Sequence, residues 1–439
     1  MLVIYYTKVF SNTERTYIMA TTRFLHTPDG VRDICNEECL QKLVLENRLQ
    51  TAMRNYGYHS IQTPTFEYFD VFSREIGTIP SRELYKFFDK EGNTLVLRPD
   101  MTPSIARLAG KMYANEDLPV RFCYTGNTFI NHASLQGKLR EVTQAGAELI
   151  GDDSVDADAE MIAMTVDCMK QAGFPEFQVS VGQMDFFHAL VEEAALEEDT
   201  VEELRRMISR KNQFGIEELL EEHVKDTSLI AIFLKLPELY GSVEMLAKVK
   251  EMTKNSRAIA ALERLESIYD IMKFYGMEKY VFFDLGMLTK HRYYTGVIFR
   301  SYTYGTGEAI IKGGRYDNLL SHFGKQSPAI GFAVIVNHMQ SALMHQKIEI
   351  PYEKQAILLV YNKPQLQQVV ETANALRAKG VNITVLLKAE GKTMDDYKEY
   401  AKRQTMTELL FAENAEKVTS IILETDATTE TSLQAVVSR

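Results

Sequence analysis

The spacing of apolar and polar residues predicts alternating helices and strands over the first quarter of the chain. From Glu37 to Tyr56 the apolar residues follow helical spacing, and Gly57 ends this predicted helix. Two short runs at 87–89 and 94–100 predict a β-hairpin, after which a further helix is predicted from Thr102. We expect Asp100 or Thr102 to cap that helix, because a side-chain oxygen there accepts from free backbone N–H groups of the first turn.

Two strands and a long helical region follow. In the predicted strand at 139–150, Gln144, Gly146 and Glu148 occupy alternate positions and therefore face the same side. From about 186 to 276 the pattern is helical throughout and rich in Asp and Glu, which is typical of solvated helical faces. We therefore predict a helical insertion within a mainly antiparallel sheet.

Two adjacent tyrosines, Tyr293 and Tyr294, begin a second predicted β-hairpin. An apolar run, a turn at 304–307 and another apolar run at 309–311 follow, and the Gly313–Gly314 pair allows close approach to the backbone. The hairpin could form the floor of a small-molecule site. A buried hairpin whose tyrosine hydroxyls bond within the core is the more common outcome for this pattern.

The pattern changes again at Pro351, where strands begin to alternate with helices. This alternation predicts a small α/β domain with largely parallel strands. Over 351–439 there are 11 Lys and Arg against 12 Asp and Glu, so this domain lacks the excess of basic residues that is typical of RNA-binding domains. We predict three regions: a disordered N-terminal extension at 1–20, a domain at 21–348 and the C-terminal domain at 349–439.

Composition narrows the class of protein. The chain has 439 residues, of which 45% are hydrophobic and 25% charged, as in ordinary globular proteins. A net charge of -11 argues against a protein whose main task is to grip nucleic acid. The four cysteines include one close pair, Cys35 and Cys39, but no second pair at the spacing of zinc ligands, so a zinc site is not expected. With neither a membrane span nor a signal peptide in the pattern, we expect a reduced, cytoplasmic chain without metal or cofactor.

Six polar side chains are candidates for one binding site on the sheet of the first domain. Carboxylates, an amide and phenols together suit a ligand with an ammonium group and a polar ring, since carboxylates bind ammonium through charge-assisted hydrogen bonds. The pattern alone does not show that these residues meet. They are Asp100, Thr102, Gln144, Glu148, Tyr293 and Tyr294.

Ordered motifs from about 24 to 345 resemble the catalytic domain of histidyl-tRNA synthetases. The run Leu97–Thr102 is similar to the family's L-R-P-E-G-T, with Asp for Glu, and Tyr293–Gly296 matches its Y-Y-T-G. Gly313–Asp317 matches the approach to the third class II motif, and Tyr56–Pro64 resembles the first, which in the family forms the dimer interface. The resemblance implies an α+β fold: a class II aminoacyl-tRNA synthetase-like antiparallel sheet flanked by helices, with a helical insertion and a small C-terminal α/β domain. It also implies that the six candidates bind the ammonium and imidazole of histidine.

At three positions the chain lacks an arginine that the synthetase family has. Ile130, Thr289 and His338 stand where the resemblance places arginines of the synthetases. Adenylation develops charge on a phosphate, which guanidinium groups stabilise, and removing one such donor costs about 10²–10³ in rate. Loss of all three predicts negligible activation. Lys290 and Arg292 are not expected to substitute, because their positions along a strand point elsewhere.

A synthetase-like chain that keeps a histidine site but lacks the residues for activation resembles the regulatory subunits of ATP phosphoribosyltransferase, which are paralogues of the synthetases. The sequence Asp284–Met287 is also similar to that group. This implies a non-catalytic partner of the short-form catalytic subunit, required for activity in the first step of histidine biosynthesis and mediating feedback inhibition by histidine. It also implies a dimer formed through the class II interface, with no membrane and no tRNA as partners. Two alternatives remain: an active or specialised histidyl-tRNA synthetase, and a synthetase-like amino-acid sensor with an unrelated partner.

Overall fold

The computed structural model describes most of the chain, namely residues 25–72, 79–132, 138–289, 293–352 and 356–438. The predicted extension at 1–20 and the residues Lys290 and Arg292 lie outside this part. The described residues fall into two compact units, one of residues from 25–33 and 45–350 and the other of residues from 34–44 and 351–438. No helix in the described residues is long and apolar enough to cross a membrane.

The described residues up to 350 contain both helices and strands. The helices are α1 (Asn36–Asn55), α2 (Thr102–Met112), α3 (Val155–Ala172), α4 (Met184–Glu193), α5 (Glu198–Ser209), α6 (Gln213–His223), α7 (Thr227–Lys235), α8 (Glu244–Lys250), α9 (Ser256–Phe274) and α10 (Val336–His345). The strands are β1 (His59–Ser60), β2 (Phe66–Tyr68), β3 (Lys86–Phe88), β4 (Thr94–Leu97), β5 (Val120–Phe129), β6 (Glu141–Ile150), β7 (Gln178–Gln183), β8 (Tyr240–Gly241), β9 (Val281–Asp284), β10 (Val297–Tyr302), β11 (Ile311–Arg315) and β12 (Ala329–Ile335).

Within the described residues, a nine-stranded sheet in the order β1-β5-β6-β12-β11-β10-β7-β9-β8 forms the floor of the first unit. Its central strands β5, β6, β12, β11, β10 and β7 pair antiparallel, as the sequence predicts. The register places Glu148 opposite Gly331 and Arg300 opposite Lys312. A separate small sheet joins β2, β4 and β3, which includes the predicted hairpin.

Three local predictions are wrong. Helix α2 has Met101 at its N-cap and no side-chain cap, since Asp100 bonds the adjacent backbone and Thr102 turns to Glu148. Strand β10 begins at Val297 rather than at the tyrosines, which precede it. The helical insertion is not helical throughout, because β8 pairs with β9 at the edge of the sheet.

The second unit contains an α/β sheet. Its strands are β13 (Ala356–Tyr361), β14 (Asn382–Leu387), β15 (Glu408–Ala412), β16 (Val418–Ile422) and β17 (Thr428–Thr431), with helices α11 (Leu366–Ala378), α12 (Met394–Arg403) and α13 (Leu433–Ser438). Strands β14, β13 and β15 are parallel as predicted, whereas β16 and β17 are antiparallel. No helix separates β15, β16 and β17, and such short connections favour antiparallel pairing.

Candidate functional site

The six predicted side chains line one cavity of about 1030 Å³ on a face of the nine-stranded sheet. Three elements supply them: the corner between β4 and α2, strand β6, and the segment before β10. In that order they contribute Asp100, Thr102, Gln144, Glu148, Tyr293 and Tyr294. The structure thus brings all six together, while the identity of their ligand stays a prediction.

Glu148 lies at the floor of the cavity with 1% of its surface exposed. Thr102 Oγ1 donates to its Oε1 at 2.9 Å, and Tyr316 OH donates to its Oε2 at 2.5 Å. A Cβ at Gly331 on β12 would overlap Oε2, so glycine at this position leaves room for the carboxyl group. Burial raises the pKa of Glu148 to about 8, against the two hydroxyl donors, and the Asp100 charge acts in the same direction as burial.

The stability of the protein is expected to fall as pH rises through the titration of Glu148. Its pKa of about 8 in the folded state exceeds the ordinary value of 4.5, so between these values the folded chain holds a proton that the unfolded chain has lost. The contribution to the unfolding free energy should decrease from about pH 5 to about pH 8, by up to about 1.4 kcal/mol per pH unit. Denaturant titrations across this range measure the slope. Glu148→Gln should flatten it, and equal slopes in both proteins would contradict the assignment.

Tyr293 and Tyr294 form a wall beside Asp100. Tyr293 OH donates to Asp100 Oδ2 at 3.3 Å, and Asp100 Oδ1 accepts from the Met101 N–H at 2.7 Å. The two tyrosine rings lie 4.7 Å apart between centroids. A Cβ at Gly314 would lie 2.8 Å from the ring of Tyr294, so the glycine allows this ring to rest on β11. Desolvation raises the pKa of both phenols, which therefore remain protonated donors.

Gln144 Oε1, whose residue lines the cavity, is buried without a hydrogen-bond partner in the described part of the chain, as is Tyr124 OH on the neighbouring strand β5. The great majority of buried polar groups in proteins are hydrogen-bonded. The site therefore has hydrogen-bonding capacity beyond what its own side chains use, as is typical of a polar ligand site.

Sequence reasoning missed Tyr316 as a site residue. Its hydroxyl bonds Glu148, and its ring lies edge-on to Tyr293 at 6.1 Å. The alternation along β11 held the signal, because Gly314 and the position of Tyr316 fall on the cavity side. Arg315 between them turns away and binds the buried Asp158, with Nη2 to Oδ1 at 2.6 Å.

The three positions that depart from the synthetase motifs line the same cavity. Ile130 and Thr289 are among its lining residues, as is His338, whose Nε2 lies 3.8 Å from Glu308 Oε2. Cationic side chains line the cavity from other positions, namely Lys138, Arg140, Lys211, Arg300 and Lys312. Among the described residues no group of three or more His, Cys, Asp or Glu could hold a metal ion.

The fold and this cavity define a protein of the histidyl-tRNA synthetase class. The family model described as histidyl-tRNA synthetase matches residues 30–339. A solved histidyl-tRNA synthetase from Nostoc sp. PCC 7120 has the same fold, with a TM-score of 0.76 over 94% of this chain and 98% of that chain at 18% identity. The predicted α+β, class II synthetase-like fold is therefore confirmed.

Relatives of higher identity narrow the family. The ATP phosphoribosyltransferase regulatory subunit of Ruminiclostridium cellulolyticum is 37% identical over 416 residues, which cover 94% of this chain and 98% of the relative. That of Acetivibrio thermocellus is 42% identical over 82% of this chain and 86% of the relative. A crystal structure of an ATP phosphoribosyltransferase regulatory subunit/histidyl-tRNA synthetase from Bacillus halodurans covers 88% of this chain and 97% of its own, with 29% identity and a TM-score of 0.77. The chain belongs to the family of ATP phosphoribosyltransferase regulatory subunits.

Proposed function

We propose that this chain is the non-catalytic regulatory subunit of an ATP phosphoribosyltransferase in histidine biosynthesis. It is required for the activity of a short-form catalytic subunit and mediates feedback inhibition by histidine. The names of its relatives support the role. The observation that carries the mechanism is one cavity in which six polar residues converge while Ile130, Thr289 and His338 line its wall.

Histidine fits the chemistry of the cavity. Its ammonium and imidazole groups offer N–H donors, and the carboxyl groups of Asp100 and Glu148 accept them. A cationic ligand beside Glu148 favours the ionised carboxylate, which offsets the desolvation that raises its pKa. The phenol rings of Tyr293 and Tyr294 line the same cavity, and their hydroxyl groups add further hydrogen-bonding groups.

Bound histidine is not expected to react. By the family resemblance, Ile130, Thr289 and His338 occupy the positions of guanidinium groups that would stabilise the pentavalent phosphate of adenylation. Ile130 and Thr289 carry no charge, and an imidazole is not a permanent cation as a guanidinium is. The site therefore senses histidine instead of activating it.

Regulation requires that histidine bind one state of the assembly more tightly than another. We propose that the subunit self-associates as a dimer through the class II interface and docks the short-form catalytic subunit. Histidine in the cavity then shifts the assembly toward its less active state. Allosteric couplings of this kind typically amount to about 5- to 150-fold in affinity.

Mixing this chain with a short-form catalytic subunit tests the proposal. Phosphoribosyl-ATP formation is expected to rise strongly on mixing and to fall again when histidine is added. The catalytic subunit alone is the control for activation. An unchanged rate on mixing would contradict the proposed role.

An active histidyl-tRNA synthetase is the second candidate, favoured by the shared fold. Histidine-dependent exchange of pyrophosphate into ATP distinguishes the two. We expect exchange at the background rate, because the three guanidinium positions are changed. Exchange at a rate typical of synthetases would favour the second candidate.

A further inference from the structure

Two cations stand side by side on the cavity face of the central sheet. Arg300 on β10 is the register partner of Lys312 on β11, and both line the cavity. Like charges directly opposite on neighbouring strands repel each other. Such a pair is unfavourable unless an anion compensates it.

The partners of these two side chains within the protein do not supply that anion. Arg300 Nη2 donates to the backbone carbonyl of Leu288 at 3.0 Å. Within the described ranges, neither Arg300 nor Lys312 has a carboxylate within 4.0 Å of its nitrogens. Asp284 interacts electrostatically with Arg300, and Glu308 with Lys312, without forming an ion pair with it. Several donors of the guanidinium group therefore remain available to a ligand.

The contact to Leu288 locates the guanidinium group within the site. Leu288 directly precedes Thr289, which stands where the family resemblance expects an arginine. Arg300 thus brings a guanidinium group to the same segment from a different strand. The hydrogen bond to Leu288 shows this proximity, which the spacing of the two positions in the sequence does not.

Tyr294 connects this cationic pair to the acidic end of the cavity. Desolvation raises the pKa of Tyr294, with Asp100 acting in the same sense and Arg300 in the opposite sense. The phenol therefore lies within electrostatic reach of both groups. An α-amino acid carries its ammonium and carboxylate on one carbon atom, so its two binding groups must also lie on either side of a short gap.

We propose that Arg300, assisted by Lys312, binds the carboxylate of the amino-acid ligand, opposite the acidic end formed by Asp100 and Glu148. The guanidinium fork suits a carboxylate, which it can bind through two parallel hydrogen bonds. This assignment rests on the proposed binding of histidine and adds a second determinant of specificity to it. It gives the cavity one end for each charge of the zwitterion.

Isothermal titration with histidine and with histidinol, which has an alcohol in place of the carboxylate, tests the assignment. The wild-type chain should bind histidine about 10- to 100-fold more tightly than histidinol, as expected for charge-assisted hydrogen bonds. Arg300→Met should weaken the binding of histidine by about the same factor and leave the affinity for histidinol nearly unchanged. Lys312→Met should give a smaller loss in the same direction. Arg206→Met, which removes a cation paired with Glu203 on exposed α5, is the matched control and should change neither affinity.

The outcomes separate this inference from the proposed function. Equal binding of histidine and histidinol by the wild-type chain would overturn the carboxylate assignment alone and needs no variant. An equal loss of affinity for histidine and for histidinol in a folded Arg300→Met variant would overturn it too. Binding of neither ligand by the wild-type chain would overturn the proposed histidine site and the assignment with it.

Discussion

Replacing Glu148 by glutamine is expected to preserve activation of the catalytic subunit and to remove most of its inhibition by histidine. The carboxylate lies 1% exposed at the floor of the cavity, where it accepts from Thr102 and Tyr316. Glutamine keeps the shape but cannot ionise, whereas the bound cationic ligand favours the ionised form of Glu148. Removing one partner of a buried, hydrogen-bonded charge pair costs about 2–5 kcal/mol, which corresponds to at least about 30-fold in histidine affinity.

The measurement is the histidine concentration that halves phosphoribosyl-ATP formation. Glu141→Gln provides a matched control on the same strand, because Glu141 bonds Asn127 and is not among the residues lining the cavity. It should leave inhibition unchanged. Histidine inhibition that survives intact in Glu148→Gln would place the histidine site elsewhere.

Replacing Asp158 by alanine is expected to destabilise the first unit by about 3–5 kcal/mol. Asp158 on α3 is fully buried and accepts from Arg315 Nη2 and from Arg264 Nε, each at 2.6 Å. Burial raises the pKa of Asp158, while the two guanidinium groups act to lower it. Without this carboxylate, the buried Arg315, with 4% of its side chain exposed, keeps only the longer contact of its Nη1 to Asp317 Oδ1 at 3.2 Å among the ion pairs of the described residues. Because Arg315 precedes Tyr316, the same change should loosen the contact between Tyr316 and Glu148.

Denaturant titration of both proteins measures this loss. Asp185→Ala is the control, since it breaks an ion pair with Arg257, whose side chain is 49% exposed. A pair of this exposure contributes about 0–1 kcal/mol. If Asp158→Ala cost no more than Asp185→Ala, the buried ion pair between Asp158 on α3 and Arg315 on β11 would not contribute to stability beyond an exposed pair.

The candidate site was predictable where its geometry follows from local periodicity. Alternation along β6 sets Gln144 and Glu148 on one face without knowledge of any partner. The motifs around Asp100 and Tyr293 supplied the rest through the family resemblance. In the structure these residues converge on one cavity.

The features that the sequence did not reveal depend on pairing between distant segments. Arg300 joins the cavity through the register of β10 and β11, and Tyr316 joins it through a hydrogen bond to a strand far away in sequence. Thr102 was predicted to be able to cap α2, but its hydroxyl group bonds Glu148 instead. The tendency of threonine to cap a helix is weak, and a hydrogen bond to a buried carboxyl group is the stronger interaction.

A cavity that holds histidine and leaves it unreacted has a direct test. The chain is incubated with labelled histidine, ATP and Mg²⁺, and bound histidine and released pyrophosphate are followed together. We predict saturable binding of histidine that is recovered unmodified, with pyrophosphate at the background rate. Pyrophosphate released in step with histidine consumption, or no histidine binding at all, would contradict the account.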